Sequence, residues 1–235
     1  MRFLLLSVLL IFFINNIKAQ QSTIELGGEI AYTRAYYKVN DAGGNIAKQP
    51  SSGLLYGLSA RYGLKNNFYL HTGLQLHHYT ENLRLKQELG FRYSNFIDAL
   101  HIPVRLGYKI HMSKKDRNFF LTTHAGIVPS FILVSADGDS IAYNNTDGNG
   151  NPLIFNYTYR ALNKNFFVLA NVGAGLQINI LKKLHANFSI QSFIGTSNIA
   201  IADATYKIGN QPTQNATIYH KGSFLAYNVG IHYRL

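Results

Sequence analysis

The stretch FLAYNVGIHYRL, residues 224–235, decides the fold. Leu225, Tyr227, Val229, Ile231, Tyr233 and Leu235 fall on one parity; Ala226, Asn228, Gly230, His232 and Arg234 fall on the other. Side chains alternate across a β-strand with a period of two, whereas a helix repeats near 3.6, so this stretch predicts a strand with one apolar and one polar face. Seven further segments, 22–37, 53–63, 68–80, 96–112, 119–136, 166–180 and 184–197, alternate in the same way. Segment 119–136 is the noisiest, with Thr123 on its apolar side and Val128 on its polar side. Soluble strands average about 5–6 residues, and transmembrane β-strands need about 9–11, so eight strands of roughly 11–18 residues favour a membrane wall.

The connections alternate as well. Residues 64–67, 113–118 and 181–183 are short turns, while 38–52, 81–95, 137–165 and 198–221 are long and rich in Gly, Asn, Asp and Ser. Outer-membrane barrels share this layout, with short periplasmic turns, long extracellular loops and an even strand number. The predicted fold is all-β, an eight-stranded antiparallel up-and-down transmembrane β-barrel. Residues 1–19 read as a signal peptide, with Arg2, an apolar run from Phe3 to Ile14 and a small residue, Ala19, at the cleavage point. Residues 20–235 then form one outer-membrane barrel domain, exported to the bacterial outer membrane. No later stretch reaches the length of a transmembrane helix.

Composition agrees. Only 14% of the 235 residues are charged, against roughly 25% in soluble domains. There are 16 Tyr, 15 Phe, no Cys and no Trp. This excludes a disordered chain, a disulfide-stapled miniprotein and a Cys-ligated metal centre. The apolar parity needs lipid, and the Gly-rich polar parity suits a small hydrated lumen filled by side chains. Tyr32, Tyr62, Phe68, Tyr108, Phe119, Phe166 and Tyr233 are candidates for the aromatic girdles.

Formal net charge is +11, and the excess concentrates at the short turns, where Lys65, Lys114, Lys115, Arg117, Lys182 and Lys183 oppose Asp116. These residues predict a basic periplasmic rim, not a nucleic-acid groove with stacking aromatics. Glu25, Glu29, Arg61, Arg105, Lys109 and Arg234 share the lumen parity, and an unpaired buried charge is costly, so they predict a salt-bridge network plugging the lumen. His71, His77, His101, His111, His124, His185 and His232 share that parity without any close ligand motif and read as polar filler. His185 and Ser189 share a face but lie about 13 Å apart along a strand, too far for a nucleophile and its base. The loop TDGNGNP, residues 146–152, lacks the Gly and Glu that an EF-hand calcium loop requires and reads as turn chemistry. No catalytic residue, metal or cofactor is assigned, and an enzyme is not expected.

The segments IELGGEIAYTR (24–34), ALHIPVRLGYKI (99–110) and VGIHYRL (229–235) resemble the PorT-like outer-membrane barrel family, and the resemblance spans the whole mature chain. The terminal strand resembles the signal read by barrel-assembly machinery, with Leu235 in place of the more usual Phe. The resemblance implies a structural or protein-secretion-associated component, since some family members serve a secretion system linked to gliding and surface proteases. The alternative is a surface-binding, adhesin-type barrel acting through loops 137–165 and 198–221; a lipid-modifying enzyme or a small pore is less favoured. Expected partners are outer-membrane lipid, the barrel-assembly machinery and a secretion-system or extracellular protein. No nucleic acid is expected, and the chain is read as a monomer.

Overall fold

The computed structural model describes residues 23–48, 51–86, 92–112, 118–134, 140–146, 152–161 and 165–235; the signal segment 1–19 lies outside them. The described chain is one antiparallel sheet of 13 strands: β1 Ile24–Asp41, β2 Ile46–Lys48, β3 Ser51–Gly63, β4 Phe68–Leu85, β5 Arg92–His101, β6 Val104–His111, β7 Phe119–Val134, β8 Ser140–Thr146, β9 Pro152–Ala161, β10 Phe166–Asn179, β11 Leu184–Gly195, β12 Ala200–Ile208 and β13 Gln214–Arg234.

Eight of these positions form the wall. β5 and β6 are one stave, because both pair with β4 and with β7. They separate at Ile102–Pro103, where proline has no N–H to give the ladder. The ring runs β1, β3, β4, β5–β6, β7, β10, β11, β13, and closes where β1 meets β13 from Glu25↔Arg234 to Asp41↔Ala216. The protein is an eight-stranded antiparallel transmembrane β-barrel. Closure pairs every wall strand on both sides, as a lipid-exposed sheet requires.

The apolar parity faces outward. Leu26, Ile30, Leu58, Leu74, Leu106, Val172, Phe188, Ile190, Val229 and Ile231 are all more than a third exposed. The opposite parity is buried, including Glu25, Glu29, Arg61, His71, Gln75, Arg105, Asn171, Gln191 and His232. Two lumen glycines are demanded by packing. A Cβ on Gly107 would overlap the Tyr69 ring, and one on Gly27 would overlap the His232 ring. In a barrel this narrow, a missing side chain on one strand is the space for a ring on the next.

The interior is layered rather than uniformly polar. The half nearer the short turns is polar. Above it lies an apolar plug of Ala31, Leu55, Val128, Phe167, Leu169, Phe193, Ile199, Phe224 and Ala226, with Phe193 and Phe224 stacked at 4.1 Å between centroids. The side-chain filling expected of the lumen therefore includes an apolar layer as well as the polar one. That layer also explains the noise at Val128, which faces the lumen with no exposure because it packs into this plug.

Among the described residues, much of the long connections is strand. β8, β9 and β12 arise within residues 137–165 and 198–221, and β12 pairs with the upper part of β13, β9 with β12, and β8 with β9. β1, β4 and β13 run past the expected ends of their strands, and β2 pairs with the extension of β4. A second apolar core sits here, built from Leu153, Phe155, Tyr157, Tyr159, Tyr206 and Ile218 with Ile46 and Ile97. The Gly, Asn and Asp content suggested loops, but the alternation within PLIFNYTYRA and AIADATYKI is what forms strands.

Candidate functional site

Two carboxylates on β1 organise the polar half of the lumen. Both lie on the inward parity, four residues apart, so they stand about 13 Å apart along the strand, one above the other. Glu29 accepts hydrogen bonds from Ser59 Oγ at 3.2 Å, Gln75 Nε2 at 3.1 Å and Asn228 Nδ2 at 3.1 Å. Arg61 Nη2 lies 3.5 Å away, and His71 Nε2 and His232 Nε2 each 3.4 Å. Glu25 meets Lys109 Nζ at 3.2 Å, Arg234 Nη2 at 3.3 Å and His185 Nε2 at 3.0 Å. Arg61 also donates from Nη1 to Asn187 Oδ1 at 2.7 Å. Asn187 Nδ2 donates to His232 Nδ1 at 3.0 Å, which places the His232 proton on Nε2, facing Ser59 and Glu29.

Of the six charged residues singled out in the sequence, five therefore meet in two clusters. Arg105 stands apart. It is fully buried, yet no carboxylate lies within ion-pair distance among the described residues. Its Nη2 donates to Gln75 Oε1 at 3.4 Å, and Gln75 in turn reaches Glu29. Its guanidinium lies 5.5 Å from the centre of the Phe193 ring and marks the floor of the plug.

A second polar element crosses the plug itself. Thr33 Oγ1 lies 2.9 Å from His77 Nε2, His77 Nδ1 lies 3.2 Å from His101 Nε2, and His101 Nδ1 lies 2.7 Å from Ser130 Oγ. Ser130 donates to the Val128 carbonyl at 3.0 Å. Since Ser130 spends its proton there, the chain has one direction: Thr33 to His77 to His101 to Ser130 to Val128 C=O. Both imidazoles act as neutral links. The chain joins β1, β4, β5 and β7 sideways and ends on a backbone acceptor, so it straps the wall together and carries no proton along the barrel axis.

The remaining candidates fall elsewhere. His124 is half-buried in the lumen, whereas His111 is exposed at the rim and packs on Phe120, correcting its expected place in the lumen; the wall ends there and the inward parity opens to solvent. His185 turns to Glu25, while Ser189 Oγ accepts from Gln191 Nε2, so the two are not brought together. Lys65, Lys182 and Lys183 are exposed at the short-turn end. Lys114, Lys115 and Arg117 lie outside the described residues, as do residues 147–151 of the TDGNGNP loop. The seven girdle candidates all stand on the outward parity. Phe68 packs on Tyr108 at the short-turn end, and Tyr32 stacks on Tyr227 toward the long-loop end. In the upper core, Tyr206 donates to Asp41 Oδ1 at 2.6 Å. Burial first, and then that carboxylate, push the phenol above its ordinary value.

The plug and the His77–His101 strap were missed by sequence reading. Departures from strict alternation at Leu55, Val128, Leu169 and Phe193 are the signal that could have found the plug.

Among solved structures, the outer membrane protein OprG of Pseudomonas aeruginosa matches with a TM-score of 0.53 at 11% identity, covering 91% of this chain and 96% of that one. Neisserial surface protein A matches at 0.49 and 10% identity, covering 92% and 100%. Ail of Yersinia pestis matches at 0.33 and 15%, covering 90% and 98%. No family model and no curated protein sequence matches the chain. The closed ring, the lipid-facing apolar belt and the likeness to OprG define the fold of a small outer-membrane β-barrel.

Proposed function

We propose that this chain is a non-catalytic, monomeric outer-membrane barrel that docks an extended segment of an extracellular protein on the sheet of β8, β9 and β12. The barrel-assembly machinery reads its terminal strand, and the filled wall anchors the sheet with the long-loop end outward. The observation that carries this reading is the edge strand β8. It pairs with β9 on one side, and among the described residues no strand pairs with the other. The edge strand of a sheet offers N–H and C=O groups to an added strand, with alternate side-chain positions supplying specificity. Native edges are commonly guarded by charge or proline, and β8, SIAYNNT, carries neither. The plugged lumen supports anchoring rather than conduction.

The chain has no cysteine, so single-cysteine chemistry is clean. Asn144→Cys is expected to take an impermeant maleimide on intact cells and, when a maleimide–benzophenone reagent is used instead and irradiated, to form a cross-linked adduct of discrete higher mass. Introducing Ala142→Lys on the same edge should abolish the adduct. An unlabelled Asn144→Cys in intact cells overturns the orientation, and no adduct overturns the docking role.

A secretion-associated role, as the PorT-like resemblance implies, is the second reading. The exposed Lys65, Lys182 and Lys183 at the opposite rim favour it. Reversing those three charges should then block export of surface cargo while leaving the β8 adduct intact.

A further inference from the structure

The seam where the barrel closes is irregular at one height. Between Ala35↔Phe224 and Tyr37↔His220 the register shifts, so that Tyr36 alone opposes Lys221, Gly222 and Ser223. Gly222 takes φ +69°, a left-handed conformation that glycine adopts without a Cβ penalty. The bulge opens a cleft of about 610 Å³ on the outer surface, lined by Tyr36, Lys38, Asn40, Asn198, Tyr219 and Lys221. Arg34, also exposed, stands one outward position below Tyr36. Among the described residues none of Arg34, Lys38 and Lys221 forms an ion pair. Asp203, on neighbouring β12, is engaged by Arg160 and Thr217.

The height of this cleft is informative. From Ile24 to Arg34 the strand climbs ten residues. At about 3.4 Å per residue and a tilt of about 40°, that is a rise of about 26 Å. The apolar band of an outer-membrane barrel is about 25 Å tall, so Arg34 stands at the headgroup level, just above the stacked Tyr32 and Tyr227, with Lys221 across from Tyr36 and Lys38 about 10 Å higher on the same strand. Below them, on the same seam, lies an apolar groove of about 600 Å³ bordered by Ile30, Tyr56, Leu58, Val229 and Ile231. It exists because Gly28 faces lipid without a side chain. Ile30 is four residues below Arg34, about 13 Å along the strand, within reach of a fatty acyl chain.

We propose that the outer face of the β1–β13 seam is a binding site for a phosphate-bearing lipid of the outer leaflet, with Arg34, Lys38 and Lys221 holding the phosphate and the Gly28 groove holding an acyl chain. Lys38 and Lys221 line the cleft and Arg34 stands at its lower edge, so phosphate oxygens seated there accept charge-assisted bonds from cations on both strands of the seam. Tyrosine and asparagine around the cleft suit a hydroxylated headgroup. The site rests on the outward orientation of the long-loop end given above, but its binding can be measured in micelles without that orientation.

The purified barrel in detergent, shown closed by heat-modifiable gel migration, would be titrated by native mass spectrometry with three probes: bisphosphorylated lipid A, the same lipid stripped of phosphate, and soluble glucosamine 1-phosphate. The wild-type chain is expected to retain the phosphorylated lipid at least tenfold more tightly than either other probe. Arg34→Ala/Lys38→Ala/Lys221→Ala should lose that preference. Gly28→Leu should weaken the lipid severalfold by filling the groove. A Cβ at Gly28 has only the Gly57 carbonyl oxygen within 4 Å, at 3.9 Å, so this variant should fold. Lys182→Ala/Lys183→Ala at the other rim should bind as wild type. Equal binding by the triple variant, or by the stripped lipid, overturns the phosphate site. Soluble sugar phosphate binding as tightly as the lipid overturns the lipid assignment.

Discussion

Removing the Glu29 carboxylate would leave Arg61 and a ring of hydrogen-bond donors facing one another in a closed lumen. Breaking a buried pair on one side costs about 3–5 kcal/mol, so Glu29→Ala should lower barrel stability by that order. Glu29→Gln keeps an acceptor for Ser59 and should cost less. Urea unfolding in micelles, followed by heat-modifiable migration, measures both. Tyr206 makes a different prediction, because its folded phenol sits above its ordinary value of about 10. A raised folded value stabilises below the unfolded one, and that contribution is lost as pH rises through the folded value. Proteolysis near Asp41 should therefore accelerate at alkaline pH, and Tyr206→Phe should flatten the response while costing about 1 kcal/mol at neutral pH. The lumen carboxylates could be found in the sequence because parity alone places a charge inside or outside. The partners of Arg105 could not, since parity says nothing of which residues on other strands share a height.

At the level of elements, β11 carries two phenylalanines on opposite faces. Phe193 is buried in the plug, and Phe188 faces lipid, 46% exposed. Phe193→Ala should cost about 3–5 kcal/mol, as large cavities in packed interiors do, and Phe188→Ala clearly less. Equal costs would mean that the two faces are misassigned. The period-two pattern marked the positions of the eight wall strands well, because lipid and lumen impose opposite demands on successive residues. It failed in two places for one reason. Where both neighbours are apolar, as at Leu54 and Leu55 or Phe166 and Phe167, alternation disappears and the plug goes unread. Within 137–165 and 198–221, polar turn residues outnumber the short apolar runs, so composition points to loops where β8, β9 and β12 form, although Phe155, Tyr157 and Tyr159 alternate cleanly.

As a whole molecule, the protein is a polar-filled tube closed by an apolar stopper and crowned by a sheet. Reconstituted in planar bilayers it should show no steady single-channel conductance; open-channel currents would contradict the packing of Phe193 on Phe224. The strand β13 ties these layers together, pairing with β1 on one side and with β11 below and β12 above on the other. Its contacts with β1 join residues separated by about two hundred positions in sequence. Contacts that distant form slowly, because loop entropy is lost before the pairing is gained. Closure of the seam is therefore expected to be the slowest pairing of assembly, and the stopper, which takes Ala31 from β1 and Phe224 from β13, is complete only once those two strands have met.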